Sequence, residues 1–324
     1  MTDAEIRYID VFNGDADGIC ALVQLRRSFP KKSLLVTDVK RNINLLKQVE
    51  ASENTHIMVL DLSLKKNIND VERLLEQGAL ITYVDHHQTG DIPKHQGLHT
   101  DIDLSADICT SLIVDKQMQG QYRAWALTAA FGDNLSDKAM QIGVESGFSI
   151  EQLGQLKELG TYINYNSYGT SIDELLFHPA VLYKKMVNFD CPFEFMKHDD
   201  DIFNTLSAAY QQDMKKAESC QPIHETDYTA VIQLPNEQWS NRVSGVYSND
   251  LANRYPNRAH AIIKEQGTDC FLVSVRAPLN NKQGADVLVS QFPTGGGRKA
   301  AAGINALPKD LLNAFISAFD KQYV

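Results

Sequence analysis

Apolar and polar positions alternate on two periods through the first hundred residues. Residues 7–12, Arg-Tyr-Ile-Asp-Val-Phe, are rich in β-branched and aromatic side chains and read as a strand. Residues 19–26 set apolar side chains on one helical face. A second strand follows at 33–38, and the polar, basic segment 40–44 opens a helix expected to reach about Val49. Residues 56–63 form an apolar strand ending in Asp61, residues 68–76 a helix, and the apolar run 79–82 a strand that leads to Asp85. Strand and helix in alternation predict parallel pairing and a doubly wound sheet. Beyond a loop-like stretch at 91–100, residues 107–113 open a helix and residues 124–131 form an apolar one. The segment from Glu145 to about Gln221 reads as mostly helical. From Tyr228 the pattern becomes mixed: strands at 229–234, 259–264 and 270–276, the last two a hairpin turning at Gly267, with helices at 243–255, 284–292 and 309–319. The expected organisation is a catalytic α/β domain over 1–185, a helical linker over 186–222 and a smaller α/β substrate-binding domain over 223–324.

Composition narrows the class. With 324 residues, 43% hydrophobic and 22% charged, the chain is long enough for two globular cores. The first five residues are acidic, no apolar leader precedes the first strand, and no run approaches the ~20 apolar residues of a membrane span. The five cysteines (Cys20, Cys109, Cys191, Cys220, Cys270) show no Cys-x-x-Cys spacing, which argues against a disulfide framework or a zinc knuckle. A reduced, cytoplasmic protein without membrane contact is the expectation. The formal net charge of −10 argues against a grip on long nucleic acid more than against short phosphorylated substrates.

The candidate chemistry sits at strand ends. Asn13-Gly14-Asp15-Ala16-Asp17-Gly18 joins the first strand to the first helix, so Asp15 and Asp17 either cap that helix or converge on a cation. Asp61 ends the third strand, and Asp85-His86-His87 ends the fourth. Ligands of open α/β sheets bind at the carboxyl ends of the strands, and three acidic tips of one sheet face one crevice. Asp133, after the apolar helix, caps the next helix or adds a fourth carboxylate. The hydroxyls of the 107–113 segment face a phosphate or cap a helix. His95, His99, His178 and His198 lack spacing partners, the run 197–201 reads as solvated, and the Tyr- and Asn-rich stretch 161–168 reads as packing rather than base stacking. Asp10 lies on a strand face and is expected to pair away from the site. In the C-terminal part, Gly295, Gly296 and Gly297 let backbone N–H groups approach an anion, with Arg298, Lys299 and Arg276 adding positive charge.

Taken together and in this order, these motifs resemble those of the DHH phosphoesterases, specifically the DHH–DHHA1 type, over nearly the whole chain. The resemblance implies two divalent ions, usually manganese, with magnesium or cobalt as substitutes. It assigns Asp15 and Asp17 one to each ion, Asp61 as a bridge, and His86 and Asp133 to the second ion. His87 would face the scissile phosphate and Asp85 would orient a histidine ring. The family places an ionisable residue where Asn13 stands, which leaves the first ion short of a ligand. Its Gly-Gly-Gly-His is Gly-Gly-Gly-Arg here, with Arg298 as a bidentate phosphate donor.

The expected activity is hydrolysis of short RNA, diribonucleotides such as linear pGpG first, to mononucleotides by a water activated between two ions. A homodimer is compatible with this reading. Alternatives of the same class are a 3′-phosphoadenosine 5′-phosphate phosphatase, a cyclic-dinucleotide phosphodiesterase and an exopolyphosphatase-like hydrolase. A nucleotide-binding regulator with weakened catalysis is the alternative of another class.

Overall fold

The computed structural model describes residues 6–198 and 200–324, the side chain of Asp200 excepted. The acidic first five residues, and the part of the 197–201 charged run at Asp199 and the Asp200 side chain, lie outside the described residues. The chain divides into two compact units between Ser207 and Ala208.

In the first unit, β1 (Arg7–Phe12), α1 (Ala16–Ser28), β2 (Ser33–Val36), β3 (Thr55–Leu60), α2 (Leu64–Glu76), β4 (Leu80–Asp85) and β5 (Leu98–Ile102) build a parallel sheet in the order β2-β1-β3-β4-β5. The order reverses beside β1, so its carboxyl end and that of β3 flank a switch point, where such sheets open a crevice. The 3.6-residue period of α2 buries Leu64, Val71, Leu74 and Leu75 against Ile9, Val11, Ile57 and Val59 of the sheet. Helices α3 (Thr110–Gln117), α4 (Arg123–Gly132), α5 (Ser136–Glu145), α6 (Ile150–Ser167), α7 (Pro179–Met186), α8 (Pro192–His198) and α9 (Asp200–Glu218) follow, the last crossing the division between the units. Helix α6 opens with a capping box between Ser149 and Gln152. It passes so close to α4 that a Cβ on Gly160 would lie 2.0 Å from the Thr128 carbonyl oxygen.

Two local expectations fail here. Residues 40–49 form no α-helix; only a 3-10 turn covers Leu45–Gln48. The reason is tertiary. Arg73 donates to the carbonyls of Leu46 and Val49, and Asn67 donates to Ile43 and accepts from the Leu46 amide. Side chains of α2 thus satisfy backbone groups that a helix would have paired within the segment. The expected loop at 91–100 ends in β5, an edge strand too polar to stand out from a loop.

The second unit holds β6 (Pro222–Glu225), β7 (Thr229–Leu234), α10 (Gln238–Arg254), β8 (Ala259–Gln266), β9 (Cys270–Arg276), α11 (Ala285–Val289), β10 (Gly295–Gly297), β11 (Ala301–Pro308) and α12 (Leu312–Gln322). Its mixed sheet runs β10-β11-β9-β8-β7-β6. β8 and β9 form the expected hairpin, with Gly267 at φ +64° in its turn. The core packs Val273, Val275, Ile304 and Leu307 against Phe315 and Phe319 of α12. The glycine stretch is not a free loop. Gly295, Gly296 and Gly297 pair antiparallel with Ile304, Gly303 and Ala302.

Candidate metal centre

Four segments of the first unit bring their acids together. The chain leaves β1 at Asn13, buried at 5% exposure, and turns into α1. Asp15 is the N-cap of that helix, and its Oδ1 accepts from the amides of Asp17 and Gly18, each at 3.1 Å. The capping alternative therefore holds for one oxygen of Asp15. Its Oδ2 faces the ammonium of Lys40 at 2.5 Å. Asp17 points the other way, accepting from the Thr110 and Ser111 amides at 2.7 Å each, the N-terminus of α3.

Asp61 follows β3 in the left-handed region, at φ +58°. Its carboxylate accepts from Thr110 Oγ1 at 3.3 Å, and Ser111 Oγ donates to the Asp17 carbonyl. The hydroxyls after residue 107 thus brace the acids. Asp133 ends α4 as its C-cap rather than capping α5, whose N-cap is Leu135, and its Oδ1 lies 3.2 Å from Lys40 Nζ.

The histidines after β4 have distinct partners. His86 places Nδ1 3.0 Å from the Ile108 carbonyl, which can only accept, so Nδ1 carries the proton. Nε2 is then a lone-pair nitrogen. It lies 3.4 Å from Asp61 Oδ1, 3.7 Å from Asp133 Oδ2 and 3.9 Å from Asp17 Oδ2. Four electron-rich atoms face one another across a buried space, an arrangement that repels itself until a cation enters. His87 gives Nδ1 to Asp85 Oδ1 at 2.8 Å, so the carboxylate that orients a ring is paired with the outer histidine. Asp85 Oδ2 is buried with no hydrogen-bond partner among the described residues.

Burial, then Asp133 and Asp15, raise the Asp17 carboxyl above the usual carboxylate range against the opposing pull of His86 and the Ser111 amide. Burial raises Asp61 further, with Asp15, Asp17, Asp133 and Asp85 all adding to it. Burial first, and then the same acids, raise the thiols of Cys20 and Cys109. Lys40 responds oppositely: burial disfavours its charge, but Asp133 and Asp15 outweigh that and hold it protonated. Two donor sets have ligand atoms within 4.8 Å of one another, Asp61–His86–His87 and Asp17–His86–Asp133. Hard carboxylate oxygens with imidazole, and no thiolate, fit manganese or magnesium.

Asp10, buried on β1, is bound by Arg26 and by Ser33 Oγ at 2.6 Å, away from the crevice. His95 accepts from the Gly97 amide, His178 caps α7, and His198 stacks on Phe189. In the second unit Arg276 donates to Asn249 Oδ1 at 2.9 Å, and Arg298 opens the turn between β10 and β11, with Lys299 following it. A Cβ on Gly295 would meet the Val289 carbonyl at 1.8 Å, whereas the space before Gly296 is open.

Solved structures with the same architecture exist. The exonuclease RecJ bound to manganese superposes with a TM-score of 0.60 at 15% identity, covering 97% of this chain and 89% of that one. The chain has the fold of RecJ. RecJ from Thermus thermophilus, in complex with Mn2+, gives the same TM-score at 17% identity over 97% of this chain, which spans about half, 51%, of that protein. The pGpG-specific phosphodiesterase PggH from Vibrio cholerae matches at a TM-score of 0.54 and 13% identity, over 98% of this chain and 100% of that one. No family model and no curated protein sequence matches the chain. The RecJ-type architecture agrees with the motif resemblance to the DHH phosphoesterases. Among the described residues no helix is long and apolar enough to cross a membrane.

Lys40 and Asn164 are absent from the expected site, whereas Thr110 and Ser111 belong to the hydroxyl segment expected to face a phosphate or cap a helix, and their hydroxyls donate to Asp61 and to the Asp17 carbonyl instead. Lys40 lies in a polar, basic segment whose pattern predicts the opening of a helix rather than a site residue. Asn164 stands 124 residues from Lys40 in sequence, and no spacing rule connects them.

Proposed function

We propose that the chain is a metal-dependent phosphodiesterase that hydrolyses short RNA, diribonucleotides such as linear pGpG first, to mononucleotides. One observation carries the reading: His86, its tautomer set by the Ile108 carbonyl, aims its Nε2 lone pair at Asp17, Asp61 and Asp133. A carbonyl-oriented imidazole among carboxylates is a ligand arrangement for a divalent cation. Manganese is the proposed ion, and when bound it stabilises charge developing on phosphoryl oxygens.

Asp17, Asp61, His86 and Asp133 hold the ion. The backbone amides on Asp17 and the hydroxyl on Asp61 keep those carboxylates in place before it arrives. His87 hydrogen-bonds through Nδ1 to Asp85, which aligns the ring and leaves Nε2 as the atom that would take a proton from the attacking water and hand it to the leaving oxygen. In the second unit, the open backbone at Gly296 with Arg298 and Lys299 is proposed to take a phosphate of the substrate, and Arg276 to stiffen that edge. The focus on short substrates follows from the net charge of −10 and one basic turn, where a long strand needs an extended basic track. The likeness to PggH points the same way.

The test is a manganese-supplemented assay on dinucleotides, RNA oligomers of increasing length, cyclic dinucleotides and 3′-phosphoadenosine 5′-phosphate. Dinucleotides should turn over at least about tenfold faster than long oligomers, a difference of about 1.4 kcal/mol in the barrier. Equal turnover at all lengths would overturn the substrate assignment, and no hydrolysis of any phosphodiester would overturn the activity.

A further inference from the structure

We propose that Lys40 is a built-in cation that replaces one of the two divalent ions the motif resemblance implies, so that the crevice binds a single ion, on the His86 side. The inference rests on the reading that the crevice is a metal centre.

The ammonium occupies a constructed socket. It lies 2.5 Å from Asp15 Oδ2, 3.2 Å from Asp133 Oδ1 and 3.4 Å from Asn164 Oδ1, with the Tyr168 ring centroid at 5.6 Å. An ammonium has three N–H donors, and three oxygens surround this one. Asn164 is itself buried and fixed, donating from Nδ2 to the Gly132 carbonyl at 2.6 Å, which turns Oδ1 toward the lysine.

The backbone that delivers Lys40 is pinned as well. Its amide donates to the Ser167 carbonyl at 3.0 Å. Two residues earlier, the Asp38 carbonyl crosses so close over Gly14 that a Cβ there would lie 2.0 Å from it. Glycine in the opening motif therefore makes room for the segment that carries the lysine.

The donor inventory agrees. Both oxygens of Asp15 are engaged, Oδ1 by the start of α1 and Oδ2 by Lys40. Both potential donor sets among the described residues include His86, and neither includes Asp15. Asn13, at the end of β1, is a neutral side chain where the motif resemblance implies an ionisable one. The Asp15 side of the crevice holds a positive charge and has a neutral side chain at position 13, and either feature opposes a second dication. A fixed ammonium supplies favourable charge for a phosphoryl group at every metal concentration.

The experiment is manganese binding to the full chain by calorimetry, with electron paramagnetic resonance of the bound Mn2+. The wild type should bind one ion per chain with a mononuclear spectrum. Lys40→Met, which keeps the stem and removes the charge, should bind two with a spin-coupled spectrum, and Lys40→Arg should remain at one. Two ions in the wild type would overturn the proposal while leaving the metal centre intact, and so would a folded Lys40→Met that still binds one. No bound ion in the wild type would instead remove the metal reading itself. If Lys40→Met does not fold, the wild-type and Lys40→Arg stoichiometries decide.

Discussion

Asp61→Asn separates the electrostatic account of the crevice from a purely structural one. The substitution removes a charge and keeps the shape. Asn also tolerates the left-handed backbone at φ +58°, where Ala carries a penalty of ~1 kcal/mol. The remaining amide oxygen can still accept from Thr110 Oγ1. What changes is repulsion. Asp61 Oδ1 and Asp17 Oδ2 lie 3.4 and 3.9 Å from the same His86 nitrogen, so they are separated by at most about 7 Å. Like charges at that distance repel by ~2 kcal/mol at an effective dielectric of ~20. Asp133 is discounted because Lys40 offsets it.

Without metal at pH 8, the Asn variant should therefore be more stable than the wild type by ~2 kcal/mol, a rise of roughly 4–8 °C in Tm. The sign follows from linkage. A carboxyl raised in the fold contributes stability fully present below its unfolded pKa of ~3.9, and that stability disappears as pH rises through the folded value. The advantage of Asn should thus vanish near pH 4 and grow toward alkaline pH. Saturating Mn2+ should reverse the order, because only the wild type keeps the full ligand set, and hydrolysis should fall at least ~1,000-fold in the variant. Thermal melts in chelator and in Mn2+, from pH 4 to pH 9, make the measurement. A variant less stable than wild type in chelator at pH 8, or one with the same Mn2+-induced gain, would refute the reasoning.

Substitutions at three further places probe the frame. Arg26→Met should cost ~3–5 kcal/mol in urea unfolding by stranding the buried Asp10 carboxylate, and Asp10→Asn with Arg26→Met should recover most of it. His260 is pushed down to about 4, by burial first and then by Arg258, so it stays neutral in the fold. Its contribution is complete above the unfolded pKa of ~6.5 and is lost as pH falls toward 4, so wild type should lose ~3 kcal/mol relative to His260→Gln across that window. Gly160→Ala should destabilise by ~1–3 kcal/mol despite the better helix propensity of Ala, because its Cβ meets the Thr128 carbonyl. Since α4 ends in Asp133, that variant should also bind Mn2+ more weakly in calorimetry.

The strand tips were legible because a parallel sheet exposes its carboxyl ends at one edge. Asp15, Asp17, Asp61 and Asp85-His86-His87 needed only the strand pattern to be placed at that edge. Residues 40–49 carry a helical pattern yet form no α-helix, because Asn67 and Arg73, on another element, bond their backbone. Gly295–Gly297 gives no strand signal, since glycine has no side chain to pack, yet pairing with β11 imposes one. Lys40 and Asn164 illustrate the limit most directly. Each is ordinary in its own segment, and their meaning arises where a turn after β2 meets α6.

The compensation of each acid locates the ion. Asp15 has two amides on one oxygen and an ammonium on the other. Asp17 has two amides, Asp85 has the His87 ring, and Asp133 has Lys40 on one oxygen. Asp61, whose carboxyl is held well above the usual carboxylate range by burial and then by four neighbouring acids, accepts from one hydroxyl, and the lone pair of His86 Nε2 faces it at 3.4 Å. Protein groups therefore neutralise the Asp15 end, and the deficit of positive charge lies between Asp61 and His86. A cation placed there relieves the contact of the Asp61 oxygen with the His86 lone pair, whereas one placed beside Asp15 must displace an ammonium already bound by three oxygens. On this argument His86→Ala should abolish Mn2+ binding altogether, whereas Asp15→Asn should weaken it only modestly and loosen the start of α1. Calorimetry on the two variants ranks them, and a greater loss of Mn2+ affinity in Asp15→Asn would place the ion at the other end of the crevice.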